Sequence, residues 1–392
     1  MEVINTEKTP IKIWSKDTEE GAIAQLKNLA NLPFVYKWIC AMPDCHQGYG
    51  MPIGGVMATT DVVVPNAVGV DIGCGMCAVE SNFTDITQDQ LKEIMAEVRK
   101  VIPVGFKHHE KKQDISLMPL GGTNAWGNLI ICGEEFNNAL TQIGTLGGGN
   151  HFIEFQRAEE SGHLWFMIHS GSRNLGFKVA NYYNKLAQKN CLSWYSDIPE
   201  FKGDDGLAFL PLNSQEGENY LREMKYCVEF ALANRKLMMD RILEIVKKIL
   251  PEKTQYYPMI NIAHNYAKLE NHFGKNVLVH RKGATLASKN TIGIIPGSMG
   301  TASYIVKGLG NPESFESCSH GAGRKMGRKE AIRSLDLATE QKIMENILGK
   351  PRTQEDLEEA PGAYKNIKEV MENQKDLVEI LVKLKPLAVI KG

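Results

Sequence analysis

The amino-acid sequence predicts a mixed fold, either α+β or an irregular α/β arrangement, organised as one domain over residues 1–392. Helical and strand-like segments are interleaved along the chain, but they do not follow the regular rhythm of a doubly wound βαβ sheet. No internal repeat or low-complexity linker divides the 392 residues. The hydrophobic share of 43% is typical of soluble globular proteins and is sufficient for a large buried core.

Three helices are predicted from apolar residues that recur at helical spacing. The first begins with a capping box between Thr87 and Gln90, which precedes an apolar face on residues 91–98. The second covers residues 216–250, as one helix or two, and ends before a proline. The third is an amphipathic helix over residues 367–384, which also ends before a proline.

Four short runs of β-branched and apolar residues predict buried strands. They cover residues 61–64, 164–168, 276–279 and 291–295. The first run leads into a glycine-rich motif at residues 69–75, so we expect this motif to follow a strand. Segments at strand ends often carry functional residues.

Charge and composition exclude several classes of protein. Lys and Arg number 45 against 46 Asp and Glu, and the formal charge of −1 argues against gripping long nucleic acid through bulk positive charge. The first residues lack the apolar core of a secretory signal, and no apolar run reaches the ~18–20 residues of a membrane span. Eight cysteines are too sparse for a disulfide scaffold, which favours a cytoplasmic location.

Five glycine-flanked motifs carry residues of the types that bind metal ions. They are GVDIGCG (69–75), GGGNHFIE (147–154), IHSGSR (168–173), NIAHNY (261–266) and SCSHGAGR (317–324). Aspartate, cysteine and histidine together suit Mn, Fe or Zn, and a shared thiolate could bridge two ions ~3.5–4 Å apart. The alternative is that each histidine is an ordinary imidazole hydrogen-bonded to backbone. The sequence alone does not decide whether the five segments converge.

Other segments suit phosphate groups. Residues 293–300 read GIIPGSMG, and such a loop offers backbone N–H groups and hydroxyls to a phosphate or a base edge, with a turn and helix N-cap as the alternative. Four basic residues within or beside the motifs suit oxyanions: Arg173, Arg281, Lys282 and Arg324. The basic run at 324–333 is either a solvated helix face or a local track for a polyanion. No GxxxxGK[ST] motif is present, which excludes a P-loop.

Nine motifs, in order from residue 42 to residue 392, resemble the RtcB family of GTP- and manganese-dependent RNA-splicing ligases. They are MPDCHQGYGMPIGG (42–55), VGVDIGCGM (68–76), GGGNHFIE (147–154), HSGSRNLG (169–176), AHNYAKLENHFG (263–274), HRKGAT (280–285), IPGSMGTASYIV (295–306), SCSHGAGR (317–324) and PLAVIKG (386–392). The resemblance implies a compact domain of the family's own type, with mixed sheets around a deep metal-binding cleft.

The resemblance also implies two Mn²⁺ ions in that cleft. By motif, Cys74 would bridge both ions. Asp71 and His151 would complete the shell of one ion, and His169 and His264 that of the other.

The same resemblance implies roles in catalysis and GTP binding. His320 would attack the α-phosphate of GTP to give a covalent histidine–GMP intermediate, and Asp44 would be needed for chemistry at the RNA ends. Asn150 and Arg173 match positions that hold the GTP phosphates. Residues matching positions around guanine are Glu154, Ser298, Ser303, Tyr364 and Lys391.

The implied substrates are RNA ends, in RNA repair or tRNA splicing. A 3′-phosphate or 2′,3′-cyclic phosphate end would be joined to a 5′-hydroxyl end in the cytoplasm, without a membrane partner, and an archease-like activator is a candidate partner. Two alternatives remain open. The chain could be a metal-dependent phosphodiesterase that uses no nucleotide, or a module that binds RNA ends without catalysis.

Overall fold

The computed structural model describes residues 1–119, 129–194, 206–349, 351 and 353–392. The α-helices are α1 (Glu20–Ala30), α2 (Gln88–Val101), α3 (Ile130–Glu134), α4 (Phe136–Gln142), α5 (Arg173–Ser193), α6 (Gln215–Ile249), α7 (Arg328–Ser334), α8 (Leu337–Ile343) and α9 (Ile367–Glu372). The strands are β1 (Glu2–Ile4), β2 (Ile11–Ile13), β3 (Val35–His46), β4 (Ile53–Thr59), β5 (Val62–Val63), β6 (Gly75–Glu80), β7 (Phe152–Ala158), β8 (Leu164–Ser170), β9 (Leu210–Pro211), β10 (Ile260–Ala263), β11 (Asn265–His272), β12 (Lys275–Lys282), β13 (Ala284–Leu286), β14 (Ile292–Ile295), β15 (Ser303–Gly308), β16 (Ser317–Ser319) and β17 (Val378–Lys391).

Most of these strands belong to two large sheets. The six-stranded sheet has the order β1-β2-β3-β4-β12-β11, and the seven-stranded sheet has the order β10-β6-β8-β7-β17-β15-β14. Strands β2 and β3 pair in parallel, whereas the other neighbours in both sheets are antiparallel. The mixed α/β fold without a βαβ rhythm is therefore confirmed, while the division into one domain stays a prediction.

Two of the three predicted helices are confirmed. The hydroxyl of Thr87 accepts from the backbone N–H of Gln90 at 3.2 Å, and the Gln90 side chain accepts from the Thr87 N–H at 3.0 Å, so α2 has the predicted capping box. The stretch 216–250 is one continuous helix, α6, which Ser214 caps and Pro251 follows. No helix among the described residues is both long and apolar enough to cross a membrane.

The third predicted helix is wrong over most of its length. Helix α9 ends at Glu372, and the chain from Val378 forms β17, which pairs with β7 on one side and β15 on the other. Apolar residues also alternate in this segment, and long-range pairing along two edges outweighs the helical pattern. Pro386 lies inside the strand, where the register with β7 shifts between Pro386 and Ala388.

Three predicted strands are confirmed within β8, β12 and β14. The fourth run, residues 61–64, forms only the two-residue β5, and a 3₁₀ turn over Pro65–Ala67 follows it. The prediction that the motif at 69–75 follows a strand is therefore wrong in its detail. The motif follows the 3₁₀ turn and leads into the start of β6. The motif still lies at a strand end.

Helix α6 supports the seven-stranded sheet. Its buried residues Met238, Ile242 and Val246 pack in one cluster with Ile153 of β7 and Phe166 of β8. Burying an apolar side chain of this size stabilises the fold by roughly 1.5–3 kcal/mol. Apolar contacts with α6 therefore hold in place two of the strands that carry the candidate site.

Candidate active site

Four neighbouring strands bring the predicted metal ligands to one edge of the seven-stranded sheet. Cys74 directly precedes β6, and His151 directly precedes β7. His169 is the penultimate residue of β8, and His264 separates β10 from β11. Strands β10, β6, β8 and β7 pair antiparallel in this order, so these four ends meet at the same edge.

The ligand atoms lie close to one another. Sγ of Cys74 is 3.4 Å from Nε2 of His151 and 3.3 Å from Nε2 of His169. Nε2 of His169 is 3.4 Å from Nε2 of His264. Nε2 of His151 is 3.2 Å from Oδ2 of Asp71. Two groups result, Cys74–His169–His264 and Asp71–Cys74–His151, each with ligand atoms within 4.8 Å of one another, and Cys74 belongs to both.

The surroundings of these side chains favour metal binding. Burial lowers the pKa of His169 and of His264 well below the usual value, so both rings are neutral and offer a lone pair. Nδ1 of His169 donates to the carbonyl of Asn150 at 3.1 Å, which leaves Nε2 unprotonated and facing the cluster. Burial raises the pKa of the Cys74 thiol, so a thiolate requires a cation that replaces the proton.

Asp71 adds a charged oxygen to this donor set. Desolvation raises the pKa of its carboxyl, but the hydrogen bond and charge of His151 outweigh that effect and bring the pKa to about 2. The carboxylate is therefore ionised at neutral pH. Imidazole, carboxylate and thiolate together suit a divalent transition-metal ion. The residues present therefore fit Mn²⁺, the ion that the family resemblance implies.

A buried arginine of α6 holds the strand ends together. The guanidinium of Arg235 donates to the carbonyls of Gly73 at 3.0 Å, Ser170 at 2.8 Å and Ile262 at 3.1 Å. Each of these carbonyls lies within two residues of a candidate ligand. Arg235 is missing from the sequence analysis, because an arginine inside an amphipathic helix looks like an ordinary surface residue.

His320 and Asp44 form a buried pair beside the metal ligands. His320 follows β16, and its Nδ1 lies 2.6 Å from Oδ2 of Asp44, a residue of β3 that is 0% exposed. The same oxygen accepts from the backbone N–H groups of His320 and Gly321. Burial raises the pKa of Asp44, but the His320 ring outweighs burial, and the pKa is lowered overall. The ring of His320 packs edge-on against His264, with centroids 4.8 Å apart.

His320 lines a cavity of about 610 Å³, which we call the cleft. Eight residues predicted from the sequence line it: Asn150, Glu154, His169, Ser298, His320, Arg324, Tyr364 and Lys391. Ser303 does not line the cleft, because its hydroxyl is buried against Gln156 at 2.9 Å. Arg173 lies behind the metal ligands, with Nη1 3.4 Å from Nδ1 of His151.

Glu359, absent from the sequence analysis, organises one wall of the cleft. Its carboxylate accepts from the Tyr364 hydroxyl, from Arg324 at 3.2 Å and from Arg328 at 3.1 Å, and it lies 3.8 Å from the Lys391 ammonium. Glu359 belongs to an acidic stretch that looks solvent-exposed in sequence, so no signal marks it there. Its partners show that part of the basic run at 324–333 faces the cleft.

Two of the four basic residues that the sequence assigns to oxyanions, Arg281 and Lys282, do not line the cleft. Arg281 is 0% exposed and forms a two-point ion pair with Glu270, at 2.6 and 3.0 Å. The Lys282 ammonium donates to the backbone carbonyls of Tyr49 and Asn66. These contacts stabilise the six-stranded sheet and its loops rather than lining the cleft.

Comparison with known proteins identifies the family of this chain. The family model described as tRNA-splicing ligase RtcB matches residues 25–392. The chain is 38% identical to an RNA-splicing ligase RtcB of Escherichia coli, over 100% of this chain and 99% of the relative. It is 31% identical to a tRNA-splicing ligase RtcB of Thermococcus kodakarensis, over 97% of this chain and 93% of the relative. It is 34% identical to an RNA-splicing ligase RtcB homolog of Entamoeba dispar, over 95% and 82%. The chain therefore belongs to the RtcB family.

Proposed function

We propose that this chain is a GTP- and manganese-dependent RNA ligase, which joins an RNA 3′-phosphate or 2′,3′-cyclic phosphate end to a 5′-hydroxyl end. The observation that carries the proposal is the His320–Asp44 pair, which lies against the ligand His264 and opens into the cleft. A positioned imidazole beside a metal site is the arrangement that nucleophilic attack on a phosphate requires. The names of the relatives point to the same class of reaction.

His320 would act as the nucleophile toward GTP. Its Nδ1–H donates to Asp44, so Nε2 carries the lone pair and can attack the α-phosphorus. The Nε2–P bond forms as the bond to the pyrophosphate oxygen breaks, and pyrophosphate leaves with the electron pair. The carboxylate of Asp44 stabilises the positive charge that the ring acquires.

Cys74 would serve two Mn²⁺ ions, one with Asp71 and His151 and the other with His169 and His264. This assignment rests on the two groups that share its sulfur. Bound ions of this kind neutralise phosphate charge and favour the departure of pyrophosphate.

Another part of the cleft lining suits guanine. Burial raises the pKa of Glu154 to about 8, and a carboxylate there can accept from the N–H groups on the edge of the base. Tyr364, Ser298 and Lys391 line the same cavity and supply a ring, a hydroxyl and a cation. Ser303 would act indirectly, since its hydroxyl contacts Gln156, which in turn donates to Glu154.

Asn150 and Arg173 would serve the GTP phosphates. Asn150 is exposed in the loop between Gly149 and His151 and lines the cleft. The contact between Arg173 and Nδ1 of His151 requires an unprotonated Nδ1, whereas an ion on Nε2 leaves the hydrogen on Nδ1. Metal binding would therefore release Arg173 from His151 toward a phosphate.

After the histidine–GMP intermediate forms, the GMP would pass to an RNA 3′-phosphate. A 5′-hydroxyl would then attack that phosphorus and release GMP. Action in RNA repair or tRNA splicing, an archease-like activator and a cytoplasmic location remain predictions.

Guanylylation of His320 tests the proposal. The purified protein is incubated with GTP and Mn²⁺, and intact-mass and peptide analysis should locate GMP on His320, while His320→Ala and omission of Mn²⁺ abolish it. The exposed His108→Ala is the matched control. Joining of a short RNA with 3′-phosphate and 5′-hydroxyl ends should require both GTP and Mn²⁺.

The alternatives predict different outcomes of the same assays. Cyclic-phosphate hydrolysis that survives His320→Ala and needs no GTP would favour the phosphodiesterase. Binding of broken RNA that survives Cys74→Ala, in a protein that joins no RNA, would favour the binding module.

A further inference from the structure

A side-chain amide connects the candidate metal ligands with the nucleophile. Asn265 is the first residue of β11 and directly follows the ligand His264. Its Nδ2 donates to the backbone carbonyl of Asp71 at 3.0 Å, and its Oδ1 accepts from the backbone N–H of Gly283 at 2.7 Å. The amide therefore joins two loops that are distant in sequence, and none of the roles assigned so far uses it.

The two contacts require an amide at this position. A carbonyl can only accept and a backbone N–H can only donate, so Nδ2 must face Asp71 and Oδ1 must face Gly283. An ionised aspartate would lack the donor, and a leucine of similar size would lack both groups. The backbone carbonyl of Asn265 also accepts from the N–H of Gly73 at 2.8 Å, so the residue has a further hold on the first loop.

The loop at one end of the amide, residues 71–74, carries two candidate ligands, and we call it the ligand loop. The carbonyl of Asp71 accepts from Nδ2 of Asn265 and from the backbone N–H of Cys74, the latter at 3.1 Å. Both lone pairs of this oxygen are therefore occupied, one by the loop itself and one by Asn265. Arg235 holds the same loop through Gly73, so the ligands keep a second anchor when the amide is removed.

Gly283, at the other end of the amide, lies directly against the nucleophile. It separates β12 from β13 with a φ of +60°, and a Cβ at this position would lie 3.1 Å from Cε1 of His320. That distance is shorter than ordinary van der Waals contact, so a glycine permits the close approach of the ring. The next residue, Ala284, pairs with Ser319, which directly precedes His320. The place of Gly283 therefore determines the space that the imidazole occupies.

The contact at Cε1 limits the orientation of the His320 ring. Asp44 holds its Nδ1 at 2.6 Å, but one hydrogen bond does not by itself fix the tilt of a ring. Cε1 lies between Nδ1 and Nε2 in the imidazole, so the contacts with Gly283 and with the His264 ring, whose centroid is 4.8 Å away, restrict this tilt. The direction of Nε2 is thereby fixed relative to the metal ligands.

We propose that Asn265 is a positioning residue for the attack of His320 on GTP, because its amide sets the distance between the ligand loop and the imidazole. This inference rests on the proposed ligase function and adds to it a residue that touches no reacting atom. A phosphate bound at the ligand loop and a nitrogen placed through Gly283 meet only if the two loops keep their separation. Misplacement by about 1 Å can reduce a rate by about 10²-fold.

Substitution of Asn265 separates positioning from metal binding. In Asn265→Ala, the single-turnover rate of His320 guanylylation at saturating GTP and Mn²⁺ should fall by roughly 10–100-fold. The number of bound Mn²⁺ ions and the half-saturating GTP concentration should change by less than about twofold, since the ligand loop keeps its contact with Arg235. Asn271→Ala, at the exposed end of the same strand, is the matched control. An unchanged rate, or a loss of Mn²⁺ in proportion to the rate, would overturn the proposal.

A nuclear magnetic resonance measurement follows the ring itself. In protein whose histidines are labelled with ¹³C at Cε1, the signal of His320 is identified by its loss in His320→Ala. Spectra are recorded before Mn²⁺ is added, because this paramagnetic ion broadens nearby signals. In Asn265→Ala the His320 signal should shift or broaden, whereas the signal of the exposed His108 should not. A His320 signal identical to that of the unsubstituted protein would refute the positioning role.

A double-mutant cycle tests the route through Gly283. Gly283→Ala places a methyl group against Cε1 of His320 and should by itself lower the guanylylation rate. If Asn265 acts through Gly283, adding Asn265→Ala should reduce the rate little further, because the two effects are coupled. Two effects that multiply would contradict this route.

Asn265→Asp covers the case in which Asn265→Ala does not fold, since aspartate keeps the size and the acceptor but lacks the donor. Its guanylylation rate should fall while Mn²⁺ remains bound, and a normal rate in the folded variant would overturn the proposal. If the unsubstituted protein acquires no GMP at all, the ligase function fails instead, and the His320 signal still reports whether Asn265 positions the ring.

Discussion

Oδ2 of Asp44 lies 2.6 Å from Nδ1 of His320, and the Asp44 side chain is fully buried from water. This contact fixes the hydrogen on Nδ1 and leaves Nε2 as the reactive nitrogen. Asp44→Asn should reduce the rate of His320 guanylylation by roughly 10²–10⁴-fold, because a neutral amide does not stabilise the ring cation as a carboxylate does. Single-turnover labelling with GTP measures the rate, with the exposed Asp89→Asn as control. An unchanged rate would show that the contact is only structural.

The sharing of Cys74 by two ligand groups predicts unequal effects on metal content. Cys74→Ala should weaken binding in both groups, whereas His264→Ala should leave the Asp71–Cys74–His151 group intact. Metal analysis after gel filtration, together with calorimetric titration of Mn²⁺, gives the stoichiometry of each variant. Equal stoichiometry in the two variants would argue against a shared thiolate.

Arg235 should contribute to stability and to metal affinity together. Lysine cannot reach the three carbonyls that the guanidinium serves, so Arg235→Lys leaves buried acceptors unsatisfied and should lower the free energy of unfolding by about 3–5 kcal/mol. Mn²⁺ affinity should fall as well, because the strand ends lose their common anchor. The exposed Arg222→Lys on the same helix should change stability by less than about 0.5 kcal/mol. Denaturant unfolding with and without Mn²⁺ distinguishes the two effects.

His280 should make the protein less stable in acid. Burial lowers its pKa to about 4, and both ring nitrogens are occupied by the Val64 N–H and the Met57 carbonyl. The unfolded chain binds a proton near pH ~6.5 and the folded chain does not, so the contribution is full above that pH. It should fall by about 1.4 kcal/mol per pH unit between 6.5 and 4. In His280→Gln, the slope of unfolding free energy against pH in this range should be smaller by about 1.4 kcal/mol per pH unit, which corresponds to one proton. An unchanged slope would contradict this.

Glu154 should couple GTP binding to proton release. Its pKa of about 8 means that the carboxyl is largely protonated at pH 7, while guanine N–H donors favour the carboxylate. GTP affinity should therefore increase with pH up to about 8 and then level off. Calorimetry in buffers of different ionisation enthalpy measures the released proton. Glu154→Gln should abolish the release, and ATP, which lacks these donors, should show none.

The sequence predicts the candidate metal ligands better than it predicts the residues that hold them in place. Asp71, Cys74 and the histidines are recognisable because each lies in a glycine-flanked motif, and the strand order explains why such motifs meet at one edge. Arg235 and Glu359 act through contacts with segments far away in sequence, and neither has a local pattern. Only the folded chain shows that these two residues touch the site.

The incorrect helix over residues 367–384 has a related cause. Its apolar spacing fits both a helix and a strand, and local pattern cannot weigh the hydrogen bonds that two distant partners offer. Here β7 and β15 leave a place for one strand between them, and the pairing on both edges determines the outcome. Ser303, predicted beside guanine, is another example, since its position on β15 turns the hydroxyl into the sheet.

The place of β17 has a consequence for synthesis on the ribosome. This strand is the last of the described strands in the chain, yet it lies between β7 and β15, in the interior of the seven-stranded sheet. Until residues 378–391 emerge, β7 and β15 lack the strand that pairs with both of them, and the seven-stranded sheet is incomplete. Lys391 arrives with the final residues of that strand. We therefore expect the cleft to be completed only after these last residues leave the ribosome, so the proposed reaction with GTP would begin after synthesis of the chain.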